Sequence, residues 1–424
     1  MRTVVPSLLI ALSSCAVTAS KAAEEGEGDA VLSKPTLKQG PRRSPDDVSY
    51  LRARGDEPGD GLLGDGLIAL LEPLWFEHKR KLKESTGFHF GIAYTSLVQK
   101  ATDSVAGPDH AGSGDLDLFA SWRLVGDQPG NSGYLHIAFE DRHAYTSISP
   151  SELGGAIGSL WPTTRAFDEH EFALIQIFWD QQLADDAVEF RIGAYDNKTI
   201  YEQYTFRSET FYFQNLMFSG NISFRPPGGG FGGSISWRTT ESTYILAGIA
   251  DANGRRAWPE LSSFFSQHEY FYIAEFGYSP RLGPDDLVHA SVTLWHVDAR
   301  EDAGTAAGSG GALNLEYAHG DVIPFLRYAY ADADAETVYA RQNVNAGCGW
   351  MRPFGRADDV FALAAGAGQE VGGSRWQTAI ETFYRVQLTS YTQLTASVQG
   401  IFNPIDNPAE DALAVFGLRL RFQL

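Results

Sequence analysis

Sulfur, long apolar runs and positive charge are all scarce in this chain. Its 424 residues hold only 2 cysteines, too few for a disulfide framework to carry the fold. Beyond the N-terminus no stretch approaches the roughly 18 apolar residues that a membrane helix needs. The 33 basic residues face 53 acidic ones, a formal net charge of -20, and that balance excludes the basic footprint of a nucleic-acid binder. The 10 histidines show no H-E-x-x-H or comparable ligand spacing, and no G-x-S-x-G elbow occurs, so neither a metal site nor a serine nucleophile is expected. Gly59-Asp60-Gly61-Leu62-Leu63-Gly64 formally matches G-x-G-x-x-G. No buried strand precedes it and no βαβ unit follows, so no nucleotide cofactor is expected either. The acidic pairs Asp46-Asp47, Asp185-Asp186, Asp285-Asp286 and Asp358-Asp359 sit in turn-like contexts and read as solvated turn chemistry. These exclusions argue against an enzyme.

What the chain has in quantity is glycine, 44 residues, and aromatics, 12%, the composition of twisted strands joined by tight turns. The last strand is the clearest case. Ala414, Phe416, Leu418, Leu420 and Phe422 fall on one face; Val415, Gly417, Arg419 and Arg421 fall on the other. Two arginines do not belong in a dry core, so the strand reads as a wall between lipid and water.

The N-terminus shows how such a chain leaves the cytoplasm. Arg2 precedes an apolar run from Val4 to Val17, and small residues follow around Ala19 to Ala23, which marks residues 1–22 as a secretory signal peptide. Leu12-Ser13-Ser14-Cys15 also resembles a lipobox, leaving open whether Cys15 is lipidated or removed. If it is removed, Cys348 has no intramolecular partner. Residues 23–65 form an acidic, Gly/Pro-rich arm expected to be loosely ordered. Over 66–86 apolar residues recur at three and four, which predicts a short helix near the barrel mouth, restricted by Pro73.

From residue 87 to 424 the period is two. Phe88, Phe90, Ile92 and Tyr94 alternate with His89, Gly91, Ala93 and Thr95; Leu116 and Leu118 alternate with Asp115 and Asp117. Short connections such as Ala184-Asp185-Asp186 alternate with long ones such as Ser147 to Asp168 and Asp251 to Gln267. The expected fold is all-β: a transmembrane up-and-down antiparallel β-barrel of about 16 strands, wide enough for a water-filled bore, in the bacterial outer membrane.

The residues Glu381-Thr382-Phe383-Tyr384-Arg385-Val386-Gln387-Leu388, then Leu394 to Gln399, Asn403-Pro404 and Val415 to Arg419, resemble the ending of the carbohydrate-selective porins of the OprB type. Arg191-Ile192-Gly193 with Tyr195-Asp196-Asn197, Glu209 with Phe213 and Asn215, and Ala247 to Asn253 resemble the same family in the same order. The resemblance implies facilitated diffusion of small mono- and disaccharides through the barrel. Its partners would be small sugars, outer-membrane lipid and lipopolysaccharide, and the barrel-assembly machinery during biogenesis, with the protein a monomer or homotrimer. Sugar binding needs rings for C–H faces and charged or amide groups for hydroxyls. The lumen-facing candidates for the substrate path are Arg123, Arg191, Tyr195, Arg238, Glu381, Arg385, Gln399 and Arg419. The competing readings are a general or ion-selective porin, a barrel enzyme with a lipid-facing Ser-His pair, and a structural barrel of an envelope complex.

Overall fold

Alternating side chains satisfy two solvents only if the sheet has no open edge, because unpaired backbone groups at membrane depth are not tolerated. The computed structural model, which describes residues 39–49, 61–63, 75–126 and 130–424, shows that solution. The strands are β1 (Phe88–Ala101), β2 (His110–Val125), β3 (Gly133–Ala144), β4 (His170–Leu183), β5 (Val188–Tyr195), β6 (Gly230–Arg238), β7 (Thr243–Asp251) and β8 (Tyr270–Tyr278). They continue as β9 (Asp286–Val297), β10 (Gly308–His319), β11 (Val322–Asp332), β12 (Ala340–Met351), β13 (Val360–Glu370), β14 (Trp376–Thr389), β15 (Thr392–Phe402) and β16 (Ala412–Gln423). Each pairs antiparallel with its neighbours in sequence, and β1 pairs with β16 to close the ring. A further short segment, Arg281–Gly283, pairs with β9 just past the end of β8 and extends that wall across Pro280, which has no N–H to give the ladder.

The face assignment read from the last strand holds throughout. Phe416, Leu418 and Leu420 are 51%, 48% and 45% exposed on the outer surface, whereas Arg419 and Arg421 are 1% and 4% exposed inside. Ile192, Ile235, Ile245, Val292, Leu313 and Leu326 extend this apolar belt around the barrel. Trp122, Trp237, Tyr278 and Tyr317 ring it at the short-turn end; Phe172, Tyr272, Tyr330 and Phe402 ring it at the long-loop end. Paired aromatic girdles are the mark of a membrane barrel, because amphipathic rings settle at the two interfaces. No described helix is long and apolar enough to cross a membrane.

A short helix, α1 (Glu77–Thr86), leads into β1, and Gly87 terminates it in the left-handed region at φ 72. Phe76 stacks on Tyr391 at 4.5 Å, tying the helix entry to the β14–β15 turn. The signal peptide, Cys15 and residues 66–74 of the expected helix lie outside the described residues. Cys348 is buried within β12.

Candidate functional site

Two connections do not stay outside. The longer, residues 196–229 between β5 and β6, carries Tyr201, Tyr204, Phe206, Phe211, Phe213, Phe218 and Phe224, all almost fully buried. A loop so rich in rings cannot remain in water; it folds into the bore. The inner faces of β12 and β13 are shaped to receive it. A Cβ on Gly349 would lie 2.0 Å from the Phe206 ring, and one on Gly366 or Gly368 would strike Met217 or Ile222 at 2.6 Å. Glycine there is the condition for the aromatic loop to lie against the wall.

The polar side chains of the other walls hold its backbone. Glu381 accepts from the N–H groups of Gln214 and Asn215, both at 2.8 Å. Arg419 donates to the carbonyls of Glu209 at 2.6 Å and Tyr212 at 3.0 Å. Arg385 reaches the Phe211 carbonyl at 3.3 Å, and Arg327 reaches the Phe218 carbonyl at 3.2 Å and Glu202 at 2.5 Å. Gln399 accepts from the Asn215 amide and donates to the Thr163 carbonyl, each at 2.9 Å, linking the inward loop to the second inserted connection, 145–169. Buried backbone groups require partners, and each charge-assisted bond of this kind stabilises by about 1.5–3 kcal/mol. The loop is thus fixed from several sides of the barrel.

Between the loop and β2–β4 lies a cavity lined by both signs of charge. Asp115 and Asp117 of β2, Glu140 and Arg142 of β3, and Arg421 of β16 come from the wall; Asp196, Lys198 and Glu209 come from the inward loop, with Arg165 and Arg256 from neighbouring loops. Arg142 lies 3.2 Å from Asp115 and 2.8 Å from Glu140, and also pairs with Asp168. Arg256 grips Glu140 at 2.5 and 2.8 Å. Burial alone would raise the Asp196 carboxyl, but Lys198 and Arg256 outweigh it and hold it below the ordinary range. Burial raises Glu209 despite Lys198 and Arg165 nearby. Carboxylate oxygens of Asp115, Asp117 and Glu140 lie within 4.8 Å of one another. Arg142 and Arg256 supply counter-charge beside these carboxylates, so the lining carries both signs. Phe119, Phe224 and Tyr339 add rings to the same lining.

The residues singled out from sequence fall into three groups, and none of them lines this cavity. Glu381, Arg385, Gln399 and Arg419 anchor the inserted loops, as described. Arg191 and Tyr195 are buried lower in the bore: Arg191 binds Asp180 at 2.7 Å and stacks 4.0 Å over Phe178, with Tyr195 beside it. Arg123 and Arg238 sit at the short-turn rim, where Arg238 donates to the Asp186 carbonyl at 2.6 Å and the Arg123 backbone pairs with Gly87. Sequence reasoning missed Arg142, Glu140, Arg256 and Arg327 as working residues. Asp115, Asp117 and Arg421 fall on the polar faces that the alternation assigns, and those faces line the cavity.

Two hydrolase-like juxtapositions occur among the described residues; in the exposed one, at the long-loop end of the barrel, Ser309 Oγ lies 2.8 Å from His296 Nδ1 and His296 Nε2 lies 3.3 Å from Asp298. In the other, Ser121 Oγ lies 2.7 Å from His136 Nδ1, and His136 Nε2 lies 3.5 Å from Asp180. Ser121 is 1% exposed and points into the barrel, and Asp180 is committed to Arg191. A lipid hydrolase needs such a pair on the outer wall, so the inward Ser121 pair reads as wall packing.

A closed barrel with a lipid belt outside and a loop folded into a charged bore is the build of a porin, a channel of the outer membrane. The model of the carbohydrate-selective porins, OprB family, matches residues 131–320 and 298–424, and the chain belongs to that family. It is a sugar porin that lets small carbohydrates diffuse through a water-filled barrel. Among solved structures, the high pH structure of Pseudomonas putida OprB is similar at a TM-score of 0.66 and 13% identity, over 87% of this chain and 99% of that one. The low pH structure of the same protein gives 0.52 at 13% identity with the same coverage. A mutant of the Rh. blastica porin gives 0.51 at 12%, over 80% of this chain and 100% of that one. At such identities these likenesses show the fold alone. No curated protein matches the chain in sequence.

Proposed function

We propose that the sugar path runs through the mixed-charge cavity between the inward loop and β2–β4, and that this passage sets the preference for mono- and disaccharides. The observation that carries the reading is the lining itself. Arg142, Arg256 and Arg421 alternate with Asp115, Asp117 and Glu140, and Phe119, Phe224 and Tyr339 lie among them. A sugar hydroxyl both donates and accepts, so a wall offering guanidinium and carboxylate side by side replaces its hydration shell in any orientation. A simple ion finds both signs in turn and gains less. Ring faces meet the C–H faces. Many weak contacts in series favour passage over retention.

Liposome swelling tests it. Glucose and a disaccharide are expected to enter faster than their size alone allows, and the Arg256→Ala variant to lose that advantage while passing glycerol at the wild-type rate. Swelling rates that follow molecular size alone, unchanged by that substitution, would contradict the reading.

A further inference from the structure

We propose that residues 39–49 of the acidic arm are a tethered internal occupant of the bore, bound in a site for acidic peptide formed by Arg191, Thr199, Ser208 and Thr210, and that the segment partly closes the channel from its short-turn end. The segment spans the barrel. Gln39 donates to the Ser279 carbonyl near the lower end of β8 at 3.1 Å. Arg42 pairs with Glu316 of β10 and reaches Thr205 at 2.7 Å, while Arg43 pairs with Glu189 at the start of β5. Asp47 takes both Arg191 Nη groups, at 2.8 and 3.2 Å, and the Thr199 hydroxyl at 2.8 Å. Asp46 accepts from Ser208 at 3.1 Å and from Thr210. Neither Asp47 nor Arg191 has any exposed side-chain surface.

Two features distinguish this insert from a wall element. It enters no strand ladder, and among the described residues its backbone–backbone bond to the rest of the bore joins the Ser44 N–H to the Thr199 carbonyl at 2.9 Å. Its hold is by side-chain charge, each of its four charged residues finding its own partner. It also meets the sugar path, since Ser44, Asp46 and Val48 line the same cavity as Arg142 and Arg256. A bidentate guanidinium–carboxylate pair is geometrically selective, and a segment held mainly by side-chain contacts, outside every strand ladder, can leave without breaking the sheet. The acidic pair that reads as a turn in the sequence is, in this account, the ligand.

The test uses the full chain with residues 39–49 deleted and, in parallel, Asp46→Asn/Asp47→Asn, which keeps the shape but removes both charges. Heat-modifiable gel mobility verifies that each barrel is folded. Single-channel conductance in plain salt is expected to rise about twofold or more in both, as an unobstructed bore requires. A synthetic 39–49 peptide added at the short-turn side is expected to lower the current of the deletion variant again. Folded barrels with wild-type conductance would overturn the proposal. The inference rests on the porin reading, but its readout is salt current. A channel that conducts salt and ignores sugars would sink the sugar path and leave this proposal standing.

Discussion

Replacing Glu381 with alanine is expected to raise single-channel conductance roughly severalfold while leaving the barrel intact, because the constriction and the wall depend on different bonds. Glu381 satisfies two adjacent backbone donors, Gln214 and Asn215, deep in the bore. Without it each buried N–H is left unpaired at a cost of about 1–3 kcal/mol. The neighbouring anchors cannot reach them, since Gln399 already serves Asn215 and Thr163. The loop around 209–219 then gains more by moving toward water than by staying. The β14 ladder to β13 and β15 is backbone-made and does not involve this side chain. Glu381→Gln keeps one acceptor and should fall between the two. Planar-bilayer recordings check the order wild type, Gln, Ala; equal conductance in all three would show that the loop is held elsewhere.

Arg142→Ala is the second large effect, and it is one of charge. Arg142 is buried and faces Asp115, Glu140 and Asp168 together. Removing one partner of a buried ion cluster costs about 3–5 kcal/mol, because the remaining charges stay desolvated. Arg256 still covers Glu140, so the uncompensated charge falls mainly on Asp115. The lining around Asp115 loses its counter-charge and becomes more negative, and the reversal potential in a salt gradient is expected to shift toward cation preference. Substitution by lysine restores the charge without the fork and should recover the reversal potential but not the sugar preference. A reversal potential unchanged in the alanine variant would mean that current bypasses this cavity.

The barrel was legible in the sequence for a simple reason. A strand between lipid and water must alternate, and the sixteen alternating segments read from residue 88 onward correspond to the observed walls. The alternation assigns a face but not a height. Arg123, Arg238, Arg191 and Arg419 all share the inner face. Only the three-dimensional structure puts the first two at the rim and Arg419 against the inward loop. The inward loop itself has no period to read. Its signal was composition: Tyr201 through Phe224 is too aromatic for an exposed connection, and Gly347, Gly349, Gly366 and Gly368 mark the wall that receives it. Which of the arm's acidic residues would find Arg191 could not be read at all, because that pairing joins residues 144 positions apart.

The central claim is that a sugar in the mixed-charge cavity replaces water and ions there. The most direct measurement is salt current through the wild-type channel in a planar bilayer as glucose is titrated. The account predicts a saturable, stepwise fall in current with glucose, lost in Glu381→Ala where the loop no longer closes the cavity. A current that falls only in proportion to solution viscosity, alike in both proteins, would contradict it.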